Sequence, residues 1–200
     1  YRDPILSRQT LVIAISQSAE TMDTLMAIRH AREQGSRVLA ICNVNGATIP
    51  RESDAVVYTH AGPEIAVAST KAFLTQIVAV HLVALYLAQV RGTMWGDEVA
   101  RHVAELGAVP EAVDRVLDTV EPMRALAREL VGAKAVLFLG RHVGYPVALE
   151  GALKLKELAY MHAEGFAAGE LKHGPIALIE DGVPVIVIDP SPRGRAVPHD

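Results

Sequence analysis

Cysteine is nearly absent from this 200-residue chain. Cys42 stands alone, which excludes an internal disulfide framework and any zinc site built on several cysteines. Aromatic residues are scarce at 4%, so the core must be assembled from alanine, valine, leucine and isoleucine. Positive charge is not in excess: 19 Lys and Arg stand against 23 Asp and Glu, a net charge of −4. The pI is near 6.1. Without a basic stripe to neutralise a phosphodiester backbone, nucleic acid is not the expected partner. Neither a Gly-Lys-Ser/Thr phosphate loop nor a Gly-x-Gly-x-x-Gly turn occurs, which disfavours nucleotides. The opening Tyr1-Arg-Asp-Pro4 is polar and shows neither an initiator Met nor a signal peptide.

What is present is apolar mass. Half of the chain is hydrophobic and 21% is charged, with a mean hydropathy of +0.25, which excludes a disordered tail. Ala72–Val90 is almost wholly apolar and just long enough to span a bilayer. Thr75, Gln76, His81 and Gln89 interrupt it, and uncovered in lipid the inner ones would be costly. The expectation is a helix buried in the core of a soluble, cytoplasmic protein, or lying at a subunit interface.

Strand and helix patterns alternate. Gln9–Ile15, Arg37–Ile41 and Ala55–Tyr58 read as strands. A helix is predicted over Thr21–Gln34, with Leu25, Ile28 and Ala31 apolar and Gly35 as its stop. Gly96–Leu130 is helical and charged, broken by Pro110 and Pro122. Ala135–Leu139 restarts the strand pattern, a helix follows from about Pro146 to Met161, and Pro184–Ile188 is a strand. Such alternation implies an α/β fold with parallel, doubly wound sheets. The second half shows two clear strands against three in the first, and the chain stops in Asp189-Pro-Ser-Pro-Arg-Gly194, so a fragment of a longer polypeptide is expected.

Three segments can carry chemistry. Ser16-Gln-Ser-Ala-Glu-Thr21 lies where the first strand meets the first helix. In open α/β sheets ligands bind at the carboxyl ends of strands, and a helix N-terminus favours an anion. Ser16, Ser18 and Thr21 offer hydroxyls and Gln17 an amide, which suits a sugar phosphate; helix capping is the plainer account. In Glu150-Gly-Ala-Leu-Lys-Leu-Lys-Glu157, residues 150, 154 and 157 share one helical face. Either this is a solvated face of ion pairs, or Glu157 is a base for moving a proton between C1 and C2 of a sugar, with Lys154 stabilising the enediolate oxygen. In Gly169-Glu-Leu-Lys-His-Gly-Pro175, His173 is either an ordinary surface imidazole or a proton carrier for opening a sugar ring. Ser69, in Val67-Ala-Ser-Thr-Lys71, is a weaker hydroxyl contact or a helix cap.

Taken together with Ala40-Ile-Cys-Asn43, Arg51-Glu-Ser-Asp54 and Phe138-Leu-Gly140, these segments run in the order seen in the isomerase part of glutamine–fructose-6-phosphate aminotransferases, the glucosamine-6-phosphate synthases. The resemblance spans most of the chain outside the helical connection near 92–133. It implies two flavodoxin-like sugar-isomerase (SIS) subdomains, each an α/β/α sandwich, here truncated at both ends. They would cover 1–95, without the first strand and helix, and 126–200, C-terminally incomplete, joined by a helical connection over 96–125. It further implies that Ser16, Gln17, Ser18 and Thr21 hold the sugar phosphate and that Val67 (main chain) and Ser69 contact the sugar. Glu157 would be the base with Lys154 beside it, and His173 the ring-opening histidine that reaches the site of a partner subunit in a homodimer.

The family reaction converts fructose 6-phosphate and ammonia, released from glutamine by a separate glutaminase domain, to glucosamine 6-phosphate, the first step of amino-sugar biosynthesis. No metal, organic cofactor, nucleic acid or membrane is expected to take part. Ala19 stands where the family usually has glycine, and its side chain is expected to crowd the phosphate loop slightly. A Cys-Gly-Thr-Ser phosphate segment, the C-terminal lysine that forms a Schiff base and the glutaminase nucleophile are not in this sequence; Cys42 matches a non-catalytic position. The chain alone is therefore expected to be inactive. The rival readings are a SIS sugar-phosphate deaminase or isomerase, a sugar-phosphate-sensing regulator, and a degenerate α/β domain without a ligand.

Overall fold

A computed structural model describes residues 4–190; Tyr1-Arg-Asp3 and the closing run from Ser191 lie outside the described residues. The chain divides into two compact units, one up to Val113 and one from Asp114.

In the first unit, β1 (Leu11–Ser16), β2 (Arg37–Cys42) and β3 (Ala55–Tyr58) form a parallel sheet in the order β1-β2-β3. The register pairs Ala14 with Ala40 and Cys42 with Tyr58. Side chains alternate across a strand, and β2 is apolar on both faces for that reason. Val38, Ala40 and Cys42 pack with Leu25, Ile28 and Ala31 of α1 (Met22–Glu33) and with Ile49 of the short α2 (Thr48–Arg51). Ile41 and Leu39 face Ala79, Val83 and Leu87 of α3 (Lys71–Val90). Helices thus cover both faces, as a doubly wound sheet requires. Ile28, Ile41 and Ile49 are fully buried, each worth about 1.5–3 kcal/mol of transfer free energy. Gly35 ends α1 with φ +80°, the left-handed stop that its sequence position predicts.

The long apolar helix departs from the expectation of core burial. Only Ala72, Ala79, Val83 and Leu85 of α3 are buried, whereas Leu74, Ile77, Tyr86 and Val90 are exposed. By length and composition α3 is also apolar enough to cross a membrane. Its packing reveals why hydropathy misled: Ala79, Val83 and Leu87 meet the sheet, while other apolar residues of the same helix stay exposed.

The helical stretch comprises α4 (Gly96–Gly107), α5 (Val109–Leu117) and α6 (Val120–Leu130). Pro110 and Pro122 sit in the first turns of α5 and α6, where a missing N–H costs nothing. None of the described residues in these three helices is buried.

In the second unit the parallel sheet has the order β5-β4-β6, with β4 (Ala135–Gly140), β5 (His162–Ala167) and β6 (Val185–Ile188). Among the described residues of this half there are three strands, not two; β5 is the one the sequence concealed. α7 (Gly144–Ala159) covers one face, its Ala148 and Ala152 packing with Val136, Phe138, Ala163 and Ile186. A Cβ on Gly151 would stand 2.9 Å from the Phe138 ring, so glycine lets the helix approach β4 closely. Small residues face the sheet, which leaves Glu150, Lys154 and Glu157 for another face of the helix.

Candidate functional site

Because β1, β2 and β3 are parallel, the loops that follow them emerge from the same edge of the sheet. The first of these loops carries the hydroxyl cluster. Ser16 is the buried last residue of β1, Gln17 is half-buried, and Ser18 and Thr21 are exposed. The Ser16 and Thr21 hydroxyls are 3.4 Å apart. Ser16 Oγ accepts the Ala19 amide at 3.1 Å, and Ser18 Oγ accepts the Glu20 amide at 3.3 Å. Thr21 is the N-cap residue of α1 but makes no side-chain cap bond. The hydroxyls therefore shape the loop rather than cap the helix. Ala19 is fully buried at φ +57°, the left-handed conformation that glycine adopts freely.

Three polar side chains that the sequence reading gave no role hold these loops. Asn43 follows β2 and ties its neighbours together. Its amide donates to the Gln17 carbonyl at 3.3 Å, and its Oδ1 accepts from Thr59 Oγ1 at 3.0 Å and the Ala61 amide at 2.9 Å. Its Nδ2 donates to the Gly62 carbonyl at 2.7 Å. Glu20 accepts the Thr48 amide at 2.7 Å, and bonds from Thr48 hold its carboxyl below the ordinary range. Glu64 accepts the Ala72 amide at 2.9 Å, the Thr70 amide at 3.3 Å and the Thr70 hydroxyl at 3.2 Å. The Ala72 amide contributes most to holding the Glu64 carboxyl below the ordinary range; desolvation opposes it, and Thr70 and Lys71 add to the lowering.

Glu64 thus does the work at the start of α3 that the sequence left open for Ser69. Val67 and Ser69 lie in the loop that Glu64 braces, with Val67 88% exposed and Ser69 half-buried. Among the described residues the Ser69 hydroxyl has no hydrogen-bond partner. A glutamate ahead of an Ala-Ser-Thr run at a helix start was the available signal for this cap.

In the second unit, α7 brings the charged triplet together. Lys154 Nζ donates to Glu157 Oε2 at 2.6 Å and lies 3.2 Å from Glu150 Oε1. All three side chains are 23–30% exposed. Partial burial works against the Lys154 ammonium, but the hydrogen bonds and charges of Glu157 and Glu150 outweigh it and hold the ammonium above its ordinary range. A carboxylate this close to a fixed cation can take a proton from carbon while the cation faces the negative charge that develops on oxygen.

His173 is exposed and ends a 3-10 turn over Ala168–His173, before Gly174 and Pro175. The turn begins where β5 stops, whereas α7 runs back from the end of β4 and leaves Glu157 near the edge where β5 starts. Among the described residues no hydrogen bond or ion pair joins His173 to Glu157 or Lys154. Nor do the described residues contain a group of three His, Cys, Asp or Glu side chains able to hold a metal ion. Cys42, the last residue of β2, is buried, and burial pushes its thiol up to about 11, which makes it a poor nucleophile at neutral pH.

Comparison with known proteins identifies the family of the fold. Over all 200 residues the chain is 76% identical to the glutamine–fructose-6-phosphate aminotransferase (isomerizing) of Streptomyces coelicolor, covering 32% of that protein. It is 68% identical over 199 residues to the enzyme of the same name from Mycobacterium tuberculosis, with the same 32% coverage. The chain therefore spans about a third of the length of the curated relatives it matches. Among solved structures, the C-terminal domain of glucosamine-fructose-6-phosphate aminotransferase from Francisella tularensis superposes with a TM-score of 0.93 at 39% identity, over 96% of this chain and 55% of that one. The SIS domain profile matches residues 2–86 and 129–197, and on that match, which takes in all six strands described above, the chain belongs to the SIS domain family.

Proposed function

We propose that the chain is the isomerase part of a glutamine–fructose-6-phosphate aminotransferase, which makes glucosamine 6-phosphate from fructose 6-phosphate and glutamine-derived ammonia at the start of amino-sugar biosynthesis. The observation that carries the reading is the 2.6 Å pair of Lys154 and Glu157 on α7, in a chain 76% identical throughout to an enzyme of that name. The names of the curated relatives reported above do not favour the deaminase or regulator alternatives.

In this reading Ser16, Gln17, Ser18 and Thr21 hold the phosphate at the end of β1, and Val67 and Ser69 contact the sugar. Ammonia condenses with the C2 carbonyl and water leaves. Glu157 then takes a proton from C1, and the C–H electron pair becomes the C1–C2 double bond as the C2–N π pair moves to nitrogen. The same carboxyl returns the proton to C2 while the C1 hydroxyl gives up its own proton and becomes the aldehyde. Lys154 faces the oxygen on which negative charge gathers. His173 opens the sugar ring. The separate placement of His173 and Glu157 at the two ends of β5 supports a homodimer in which each His173 serves the partner's site. Sugar-binding subdomains over 1–95 and 126–200, a connection over 96–125, a glutaminase domain in the longer polypeptide and a cytoplasmic location complete the proposal. It calls on no metal, organic cofactor, nucleic acid or membrane.

The test uses the intact polypeptide that carries these residues, supplied with fructose 6-phosphate and glutamine. Glucosamine 6-phosphate should form, and Glu157→Gln should abolish it while sugar-phosphate binding persists. Binding of the sugar phosphate by the wild type without product would overturn the reading.

A further inference from the structure

The charged triplet on α7 contains one more carboxylate than the proton transfer uses. We infer that Glu150 is a positioning residue, which anchors the Lys154 ammonium while Glu157 is protonated. The inference rests on the reading of Glu157 as the base.

Lys154 is shared: it lies 2.6 Å from Glu157 and 3.2 Å from Glu150, one helical turn to either side. Before proton transfer the triplet holds two negative charges and one positive. Once Glu157 accepts the proton from C1 it becomes neutral, and its attraction for the ammonium largely disappears. While Glu157 is still protonated the C1 hydroxyl gives up its proton, negative charge gathers on that oxygen, and Lys154 must remain where it can face it. Glu150 is the carboxylate that still holds Lys154 there. Without Glu150, the ammonium would be tied to Glu157 alone before transfer and to nothing on its helix afterwards. Glu150 and Glu157 are the charged groups that act on Lys154, and both favour its protonated form. The side chain of Glu150 is 24% exposed, so its charge is screened only in part. It does not touch the reacting carbons in this scheme and works through Lys154.

The experiment measures kcat, KM and the pH dependence of kcat for the intact polypeptide, its Glu150→Gln and Glu150→Asp variants, and Glu157→Gln as reference. Glu150→Gln should lower kcat about tenfold with KM changed by no more than about twofold, because orientation and not substrate binding is lost. The same variant removes one of the two carboxylates that keep Lys154 protonated, so the alkaline limb of the kcat profile should move to lower pH. Glu150→Asp keeps the charge on a shorter arm and should restore the limb with part of the rate. Should Glu150→Gln fail to fold, Glu150→Asp carries the test: a lowered kcat at unchanged KM supports the role, and a wild-type kcat overturns it. An unchanged kcat and alkaline limb in Glu150→Gln, beside an inactive Glu157→Gln, overturns the role of Glu150 alone. Activity surviving in Glu157→Gln overturns the reading of the base beneath it.

Discussion

At Ala19 a methyl group occupies a position where the backbone is left-handed, φ +57°, and fully buried. The Ala19 amide reaches Ser16 Oγ at 3.1 Å and its carbonyl accepts the Ile49 amide at 3.0 Å, so neither end of the residue is free to relax. Two opposing effects of about 1 kcal/mol then govern Ala19→Gly, relief of the left-handed cost against loss of a buried methyl and a more flexible unfolded chain. Thermal unfolding should place that variant within about 1 kcal/mol of wild type. Ala19→Val puts a β-branched side chain into the same space and conformation, and should lose upwards of about 2 kcal/mol and weaken sugar-phosphate binding, as titration calorimetry would read.

Glu64 is a second residue whose charge has a definite sign of effect. Its carboxyl is held below the ordinary value of 4.5, chiefly by the Ala72 amide, so the stability it contributes is present above that value and is lost as pH falls through the lower, folded one. Glu64→Gln should therefore melt below wild type at pH 7, and the gap between the two melting temperatures should narrow progressively as the pH falls below 4.5. Equal melting temperatures at neutral pH would show that the anion contributes nothing there.

At the scale of the elements, α7 shows how packing and chemistry divide one helix. Ala148 and Ala152 are buried and Gly151 lets the Phe138 ring approach, while Lys154 and Glu157 remain partly open to solvent. Gly151→Val should push α7 from β4 and cost about 1–3 kcal/mol by overpacking, measured by denaturant unfolding, with a larger fall in kcat than in sugar-phosphate affinity. What the sequence showed of these elements follows from how local their signals are. β2 and β4 are apolar on both faces and declare themselves. His162, Glu164 and Gly165 interrupt the apolar pattern of β5, so the sequence analysis assigned it no element. The Ser16–Thr21 cluster and the Glu150–Lys154–Glu157 spacing were legible because their members are neighbours in sequence. Asn43 and Glu20 were given no role because their partners come from other loops, as with Glu20 and the Thr48 amide 28 residues away, whereas Glu64 was missed although Thr70 and Ala72 lie close to it in sequence. Hydropathy found α3 but not its exposure, since apolar content alone does not say what a helix lies against.

The whole molecule sets a test that no single residue can. If His173 serves the partner's site, a dimer pairing a Glu157→Gln subunit with a His173→Asn subunit contains one site with both lesions and one with neither. Mixing the two inactive intact variants under subunit exchange should restore about a quarter of wild-type activity, since half of the dimers are mixed and each has one sound site. No recovery despite proven exchange would place His173 and Glu157 in the same subunit's site. The chain spans about a third of its curated relatives, so this measurement belongs to the intact polypeptide.

The three helices between the sheets, none with a buried residue, have a consequence for the lifetime of the chain. His102 of α4 meets the His81 ring of α3 edge-on, but beyond that side the backbone of the three helices is held by local hydrogen bonds, so it opens at less cost than either sheet. A protease that cuts after arginine meets Arg101, Arg115, Arg124 and Arg128 there, all exposed. The first nicks should fall between Gly96 and Leu130 and release two resistant pieces, one around each sheet.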